Sequence, residues 1–283
     1  GRGVALHRSE DRDTIFAISP GYQLIALDAL TGQLRPDFGE SGIVDLKLQL
    51  GVALDPITAP IGASSPPIVV NDVVIVGAAF TFSGAPESPE ALKGKVTAYD
   101  VNSGELRWRF NTIPTAGESG FASWGGDSAG YTGNAGVWAP MSADPELGYV
   151  YLPVEAPTSD YYGGHRPGDN LYGQSLVCLD ASTGARVWHF QTVHHPIWDY
   201  DLPAPPVLLD VTVAGQQIPA VAQITKQGLT FVFDRRTGEA VWPIDEVAVA
   251  QSNVPGEQTA STQPMPSLPE PFGRTGVTND QLN

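Results

Sequence analysis

LVCLDASTGARVWHF, residues 176–190, runs through four apolar residues, Leu176 to Leu179, up to Asp180, turns at Ser182-Thr183-Gly184, and returns through Val187 and Trp188. An aspartate there accepts N–H bonds from the next residues, and a glycine takes the positive φ that a tight turn needs. The stretch therefore reads as a β-hairpin. Three other segments repeat it: LIALDALTGQLRPDF (24–38), VTAYDVNSGELRWRF (96–110) and TFVFDRRTGEAVWPI (230–244). Self-similarity of this kind marks a repeat architecture. The turn glycines Gly32, Gly104, Gly184 and Gly238 are spaced too unevenly for a solenoid but widely enough for four-stranded units with insertions. The expected fold is all-β, a β-propeller of four-stranded antiparallel blades.

Trp108, Trp188 and Trp242 stand at one position of the repeat, where the first copy has Pro36, and are expected to wedge between neighbouring sheets. Further strands are expected at 13–19, 67–79, 148–154 and 219–225. No amphipathic helix longer than a turn or two is evident. Gly/Pro/Ser-rich connections cover about 80–94, 111–137, 155–172 and 245–283, and long loops on a rigid β scaffold are where chemistry is expected. Four copies do not close a ring, so residues 1–283 are read as one domain, an arc of a larger propeller incomplete at both ends.

Composition agrees. The 31 glycines and 25 prolines resist helix, and 42% hydrophobic residues supply a core. A net charge of −16, with only 15 Lys and Arg, argues against nucleic acid as a partner. No apolar run reaches the length of a membrane span, and no signal peptide is visible before Gly1. The single cysteine, Cys178, forbids an intrachain disulfide and reads as a small buried hydrophobe.

The densest group of reactive side chains is HHPIWDYDLPAPP (194–206). Asp199, between Trp198 and Tyr200, suits a general base if the aromatics desolvate it. Asp201, ahead of a stiff proline run, is assigned to turn structure. His194 and His195 alternate sides of an extended chain and so do not share an ion; hydrogen-bonding roles are expected for both. Lys226 leaves a strand end toward a central channel, and Trp138, after a glycine-rich loop, could offer a flat ring to a planar ligand.

At these loops the sequence resembles the pyrroloquinoline-quinone (PQQ) dependent dehydrogenases, eight-bladed propellers of the bacterial periplasm, and is most similar to their membrane glucose and quinate dehydrogenase branch. The resemblance rests on GRGVALH (1–7), LIALDALTGQLRPDFGESGIVDL (24–46), SSPPIVVNDVVIVG (64–77), LRWRFNTIPTAGE (106–118), WAPMSAD (138–144) and VWHFQTVHHPIWDYDLPAPP (187–206). It implies PQQ with a divalent cation, Ca2+ or Mg2+, as cofactors, and a small alcohol, sugar or polyol as substrate. It also implies a quinone or cytochrome as electron acceptor, a periplasmic location, and membrane association only through segments outside this sequence.

Residue by residue, the resemblance implies that Asp199 is the catalytic base, Lys226 contacts the quinone oxygens, Trp138 lies beneath the cofactor ring, and Arg2 lies near the quinone carboxylates. At one metal position of the family this sequence has Thr81 and Phe82, with Glu87 and Glu90 following. At the other, EAPTSD (155–160), it offers Thr158 or Ser159, and Thr158 is assigned to both cofactor and cation. Two other readings compete. A PQQ-like-repeat scaffold would keep the hairpins but lack WDYD, the TKQG lysine and the glycine-rich tryptophan loop. A propeller hydrolase would need a carboxylate pair, for which Asp160 with Asp199 is the candidate.

Overall fold

The computed structural model describes residues 3–55, 57–80 and 92–274. Four antiparallel sheets follow one another along the chain. Sheet 1 is a meander of Ala5–His7, Thr14–Ile18, Gln23–Asp28 and Ile43–Asp45. Sheet 2 contains Ile68–Val70, Val73–Val76, Lys95–Asp100 and Leu106–Asn111, and sheet 3 contains Ser142–Asp144, Tyr149–Pro153, Ser175–Asp180 and Arg186–Gln191. Sheet 4 has three strands, Val207–Val213, Gln216–Ile224 and Thr230–Asp234. The first strands of successive sheets touch one another, so the sheets radiate from them as blades. The helices among the described residues are single turns of at most four residues, and none is long and apolar enough to cross a membrane.

The four repeat turns have one geometry. Asp28, Asp100, Asp180 and Asp234 each accept, through Oδ1, the N–H of the residue two further on. Gly32, Gly104, Gly184 and Gly238 follow at φ +71 to +77° and donate back to the aspartate carbonyls. The returning strand, however, is complete only in blades 2 and 3. In the first copy it shrinks to the single bridge Leu27–Leu34, because Pro36 has no N–H for the ladder, and Ile43–Asp45 closes the blade instead. In the fourth copy the bridge Phe233–Ala240 stands alone before Pro243. The expected strand 67–79 is a hairpin that turns at Asn71-Asp72. Part of the expected 245–283 connection is itself a hairpin, Ile244–Ala248 with Thr262–Pro266.

Three apolar clusters fill the seams between blades 1 and 2, 2 and 3, and 3 and 4. The repeat tryptophans wedge as expected, by a specific docking. Trp108 Nε1 donates to Ala181 O (2.8 Å) and Trp188 Nε1 to Arg235 O (3.2 Å), each in the turn of the next blade. In the first seam Phe38, not the residue at Pro36, fills this place against Gly104. Trp242 is half-buried, and Cys178 is fully buried in the third seam.

A Cβ built on Gly184 would stand 2.6 Å from Cδ2 of Trp108, at a φ of +73° that L residues avoid. Gly184→Ala is therefore expected to destabilise by about 2–4 kcal/mol, combining left-handed strain with overpacking. Thermal unfolding measures it, and an unchanged midpoint would contradict the docking.

Candidate active site

The inner strands of blades 3 and 4 begin at the same end of the sheets, opposite the repeat turns, and the sequence-expected site residues gather there. Trp138 precedes Ser142–Asp144, residues 155–172 link the second and third strands of blade 3, residues 192–206 link blade 3 to blade 4, and Lys226 follows Gln216–Ile224. A cleft of about 360 Å³ lies among them, lined by Ser64, Phe80, Asn134, Trp138 and Lys226 with four carboxylates, Glu155, Asp160, Asp199 and Asp201.

Close backbone packing builds the cleft wall. Val137 N donates to Ala78 O and Ala135 N to Ala156 O, and a Cβ on Gly136 would lie 2.4 Å from Ala78 O. The glycine-rich approach to Trp138 thus lets two loops cross in contact. Trp138 is then fixed at both ends. Its carbonyl accepts from Ser65 Oγ (2.5 Å), and its Nε1 donates to Asp201 Oδ2 (3.1 Å).

Lys226 Nζ donates to Asp199 O (2.9 Å) and Asp199 Oδ1 (3.2 Å) and lies 3.8 Å from Asp201 Oδ2. Asp199 sits at φ +50°, a left-handed conformation that costs a non-glycine residue about 1–2 kcal/mol. Gln174, in the amide orientation that satisfies both its oxygen and its nitrogen, accepts from Tyr200 N (2.6 Å) and Asp201 N (3.1 Å). The WDYD backbone is therefore held from below while Lys226 holds it from the cleft.

Asp201 corrects the sequence reading. It lines the cleft rather than serving only a turn, 7% exposed, with Oδ1 accepting from Ala156 N (2.7 Å) and Oδ2 from Trp138. Its place two residues after Asp199, before a stiff proline segment, was the available signal. Burial raises its carboxyl pKa, opposed by the Ala156 N–H and by Lys226.

Among its described lining residues the cleft sets four carboxylates against one cation, Lys226. Burial, then the charges of Asp199 and Asp201, push the Asp160 carboxyl up to about 7, against Arg166 and Lys226. Burial, with Asp201 next, holds Glu155 well above the ordinary carboxylate range, although Gly136 N donates to it at 2.7 Å. Glu155 had no local sequence signal, because its role depends on a partner 46 residues away.

Thr158 is fully buried behind the cleft, outside its lining. Its carbonyl accepts from Arg166 Nε (2.9 Å) and faces His165 Nε2 (2.9 Å), while its hydroxyl has no partner among the described residues. Asp160 and Asp199, the pair considered for hydrolysis, do line one cleft, but two more carboxylates join them. Arg2, Thr81, Phe82, Glu87 and Glu90 lie outside the described residues. His194 and His195 bind no common point: His194 Nε2 pairs with Glu246 (3.0 Å) and His195 Nε2 with Glu257 (3.0 Å).

Radiating antiparallel blades, with a carboxylate–lysine pair and a half-buried tryptophan at their inner ends, define a β-propeller with an enzyme-like cleft. The sequence model of the family described as PQQ, glucose/ethanol/alcohol dehydrogenase, β-propeller domain, matches residues 1–283, and the chain belongs to that family. It is 34% identical over 288 residues to the quinoprotein glucose dehydrogenase of Escherichia coli K12, covering 94% of this chain and 34% of that protein. It is 36% identical over 262 residues to a probable quinate dehydrogenase (quinone) of Xanthomonas campestris pv. juglandis, covering 90% and 31%.

Among solved structures, the quinohemoprotein alcohol dehydrogenase of Comamonas testosteroni superposes with a TM-score of 0.70 at 26% identity, over 94% of this chain and 38% of that one. The chain thus spans about a third of the length of the curated relatives it matches.

Proposed function

We propose that this chain carries the catalytic face of a PQQ-dependent dehydrogenase that oxidises an alcohol, sugar or polyol, as part of a larger propeller. The observation that carries the reading is the meeting of Asp199, Lys226 and Trp138 in one cleft, on a chain of this family. The names of its relatives, dehydrogenases of glucose, quinate and glycerol, support a small hydroxylated substrate. A periplasmic location and a quinone or cytochrome acceptor belong to the same proposal.

PQQ, when bound, supplies the acceptor for the hydride leaving the carbinol carbon. The chain supplies the rest. Asp199 Oδ takes the substrate hydroxyl proton. Lys226 Nζ, at 3.2 Å, orients that carboxylate and would supply positive charge to the quinone oxygens of a bound cofactor. Trp138, its ring held by the bond to Asp201, gives a flat floor, and Arg2 would meet cofactor carboxylates.

The donor set fits a hard cation to a limited degree. Among the described residues no three His, Cys, Asp or Glu side chains gather at one point, so Ca2+ or Mg2+ would be held by one or two carboxylates, from Asp199 and Asp160. The unpartnered Thr158 hydroxyl is a further oxygen close in sequence to Asp160. A bound cation would relieve the charge excess of the cleft.

The test is retention of PQQ by the full-length protein that carries this segment, read as quinone absorbance after gel filtration with Ca2+ or Mg2+. Stoichiometric retention is expected, and Trp138→Ala should weaken it about tenfold or more through loss of ring contact. Failure of the parent protein to retain PQQ with either cation would overturn the proposal.

A further inference from the structure

His195 and Glu257 form a pair buried almost completely, with side chains 3% and 2% exposed, that takes no part in the chemistry above. His195 Nε2 lies 3.0 Å from Glu257 Oε1 and Nδ1 lies 2.8 Å from Gly168 O. Gly168 O can only accept, so Nδ1 donates to it, and Nε2 shares a hydrogen bond with the Glu257 carboxyl. Glu257 Oε2 accepts in turn from Gly163 N at 2.8 Å. A Cβ on Gly163 would stand 2.4 Å from His195 Nε2, so the imidazole lies directly on the Gly163 backbone.

The same strap, residues 249–261 between Ile244–Ala248 and Thr262–Pro266, ends in a second grip. Gln263 Oε1 accepts from His194 N (2.8 Å) while its Nε2 donates to His194 O (2.8 Å). One side-chain amide therefore satisfies both backbone groups of a residue. On the opposite side, Asp169 O accepts from His195 N (3.2 Å) and Arg166 donates to Pro196 O. The gripped residue His195 sits at φ +46°, and Asp199, four residues on, at φ +50°. Two non-glycine residues so close together in left-handed backbone persist only where the surroundings over-determine them.

We propose that Glu257 is a positioning residue for Asp199: through His195 it fixes the 195–199 turn, so the strap governs how the base is presented without touching substrate. This rests on the reading of Asp199 as the base. The experiment uses the full-length, PQQ-loaded protein and its Glu257→Ala, Glu257→Gln, Gln263→Ala and Asp199→Asn variants.

Glu257→Ala is expected to lower kcat tenfold or more with KM within about twofold, and to speed amide hydrogen exchange at 195–201 tenfold or more, with exchange at 175–180 unchanged. Glu257→Gln, which keeps a carbonyl acceptor for the His195 ring, is expected to recover kcat to within about threefold. Should Glu257→Ala not fold, Gln263→Ala gives the same two readouts with the buried pair intact.

Unchanged exchange and kcat, or a Gln variant no better than Ala, overturns the proposal. Full turnover by Asp199→Asn would overturn the base assignment instead, while the exchange data still judge the clamp.

Discussion

Asp199→Asn in the full-length, PQQ-loaded protein is expected to cut kcat by about 10²- to 10⁴-fold, the range lost with a general base. The substitution is unusually clean at this position. Asparagine tolerates left-handed backbone better than other L residues, so φ +50° adds no strain. Its amide oxygen can still accept from Lys226 Nζ, which also holds the residue 199 carbonyl. What is lost is the ability to take a proton. KM and PQQ retention should therefore stay within a few-fold of the parent, as steady-state kinetics and quinone absorbance would show. Turnover within tenfold of the parent would remove Asp199 from the chemistry.

Arg166→Met is expected to destabilise the fold by about 3–5 kcal/mol, the cost of breaking a buried polar network by removing one partner. Arg166 is fully buried, and burial lowers its guanidinium pKa to about 10, with Glu257 and Asp160 opposing. It donates to Thr158 O (2.9 Å), Asn170 Oδ1 (2.7 Å), Ser159 O (2.8 Å) and Pro196 O. Methionine fills much of the volume and satisfies none of these acceptors. Because one guanidinium joins 158–159 to 196, its loss should also loosen the cleft floor. Thermal unfolding is the measurement, with Arg166→Lys expected between the two because a lysine cannot reproduce the planar fork. A midpoint unchanged in Arg166→Met would show that the network is not needed for stability.

Much of the fold was legible because its repeat encodes chemistry locally. An aspartate, three residues and a glycine specify the turn, and each of the four turns forms with the bonds this pattern requires. The returning strands were less legible, since whether a strand continues past the turn depends on prolines at 36 and 243 and on what lies beside them. In the cleft, Asp199, Lys226 and Trp138 come from three separate loops and still meet. Asp201 was read as a turn residue because the decisive fact, the Trp138 indole 63 positions earlier, is invisible along the chain. Glu257 carried no signal for the same reason, its partners His195 and Gly163 lying 62 and 94 positions away.

The docking of each blade's aromatic onto the next blade's turn is directional: every seam has a plug on one side and a socket on the other. Such head-to-tail contacts couple nearest neighbours only, so stability accumulates seam by seam as in a one-dimensional array. The cleft is built across one of these joints, with Asp199 leaving blade 3 and Lys226 carried by blade 4, at the end opposite the plug of Trp188 in the Gly238 turn. A substitution at the Trp188 socket that tilts blade 4 is therefore expected to change the separation of Asp199 and Lys226 at the far end without altering a residue in the cleft.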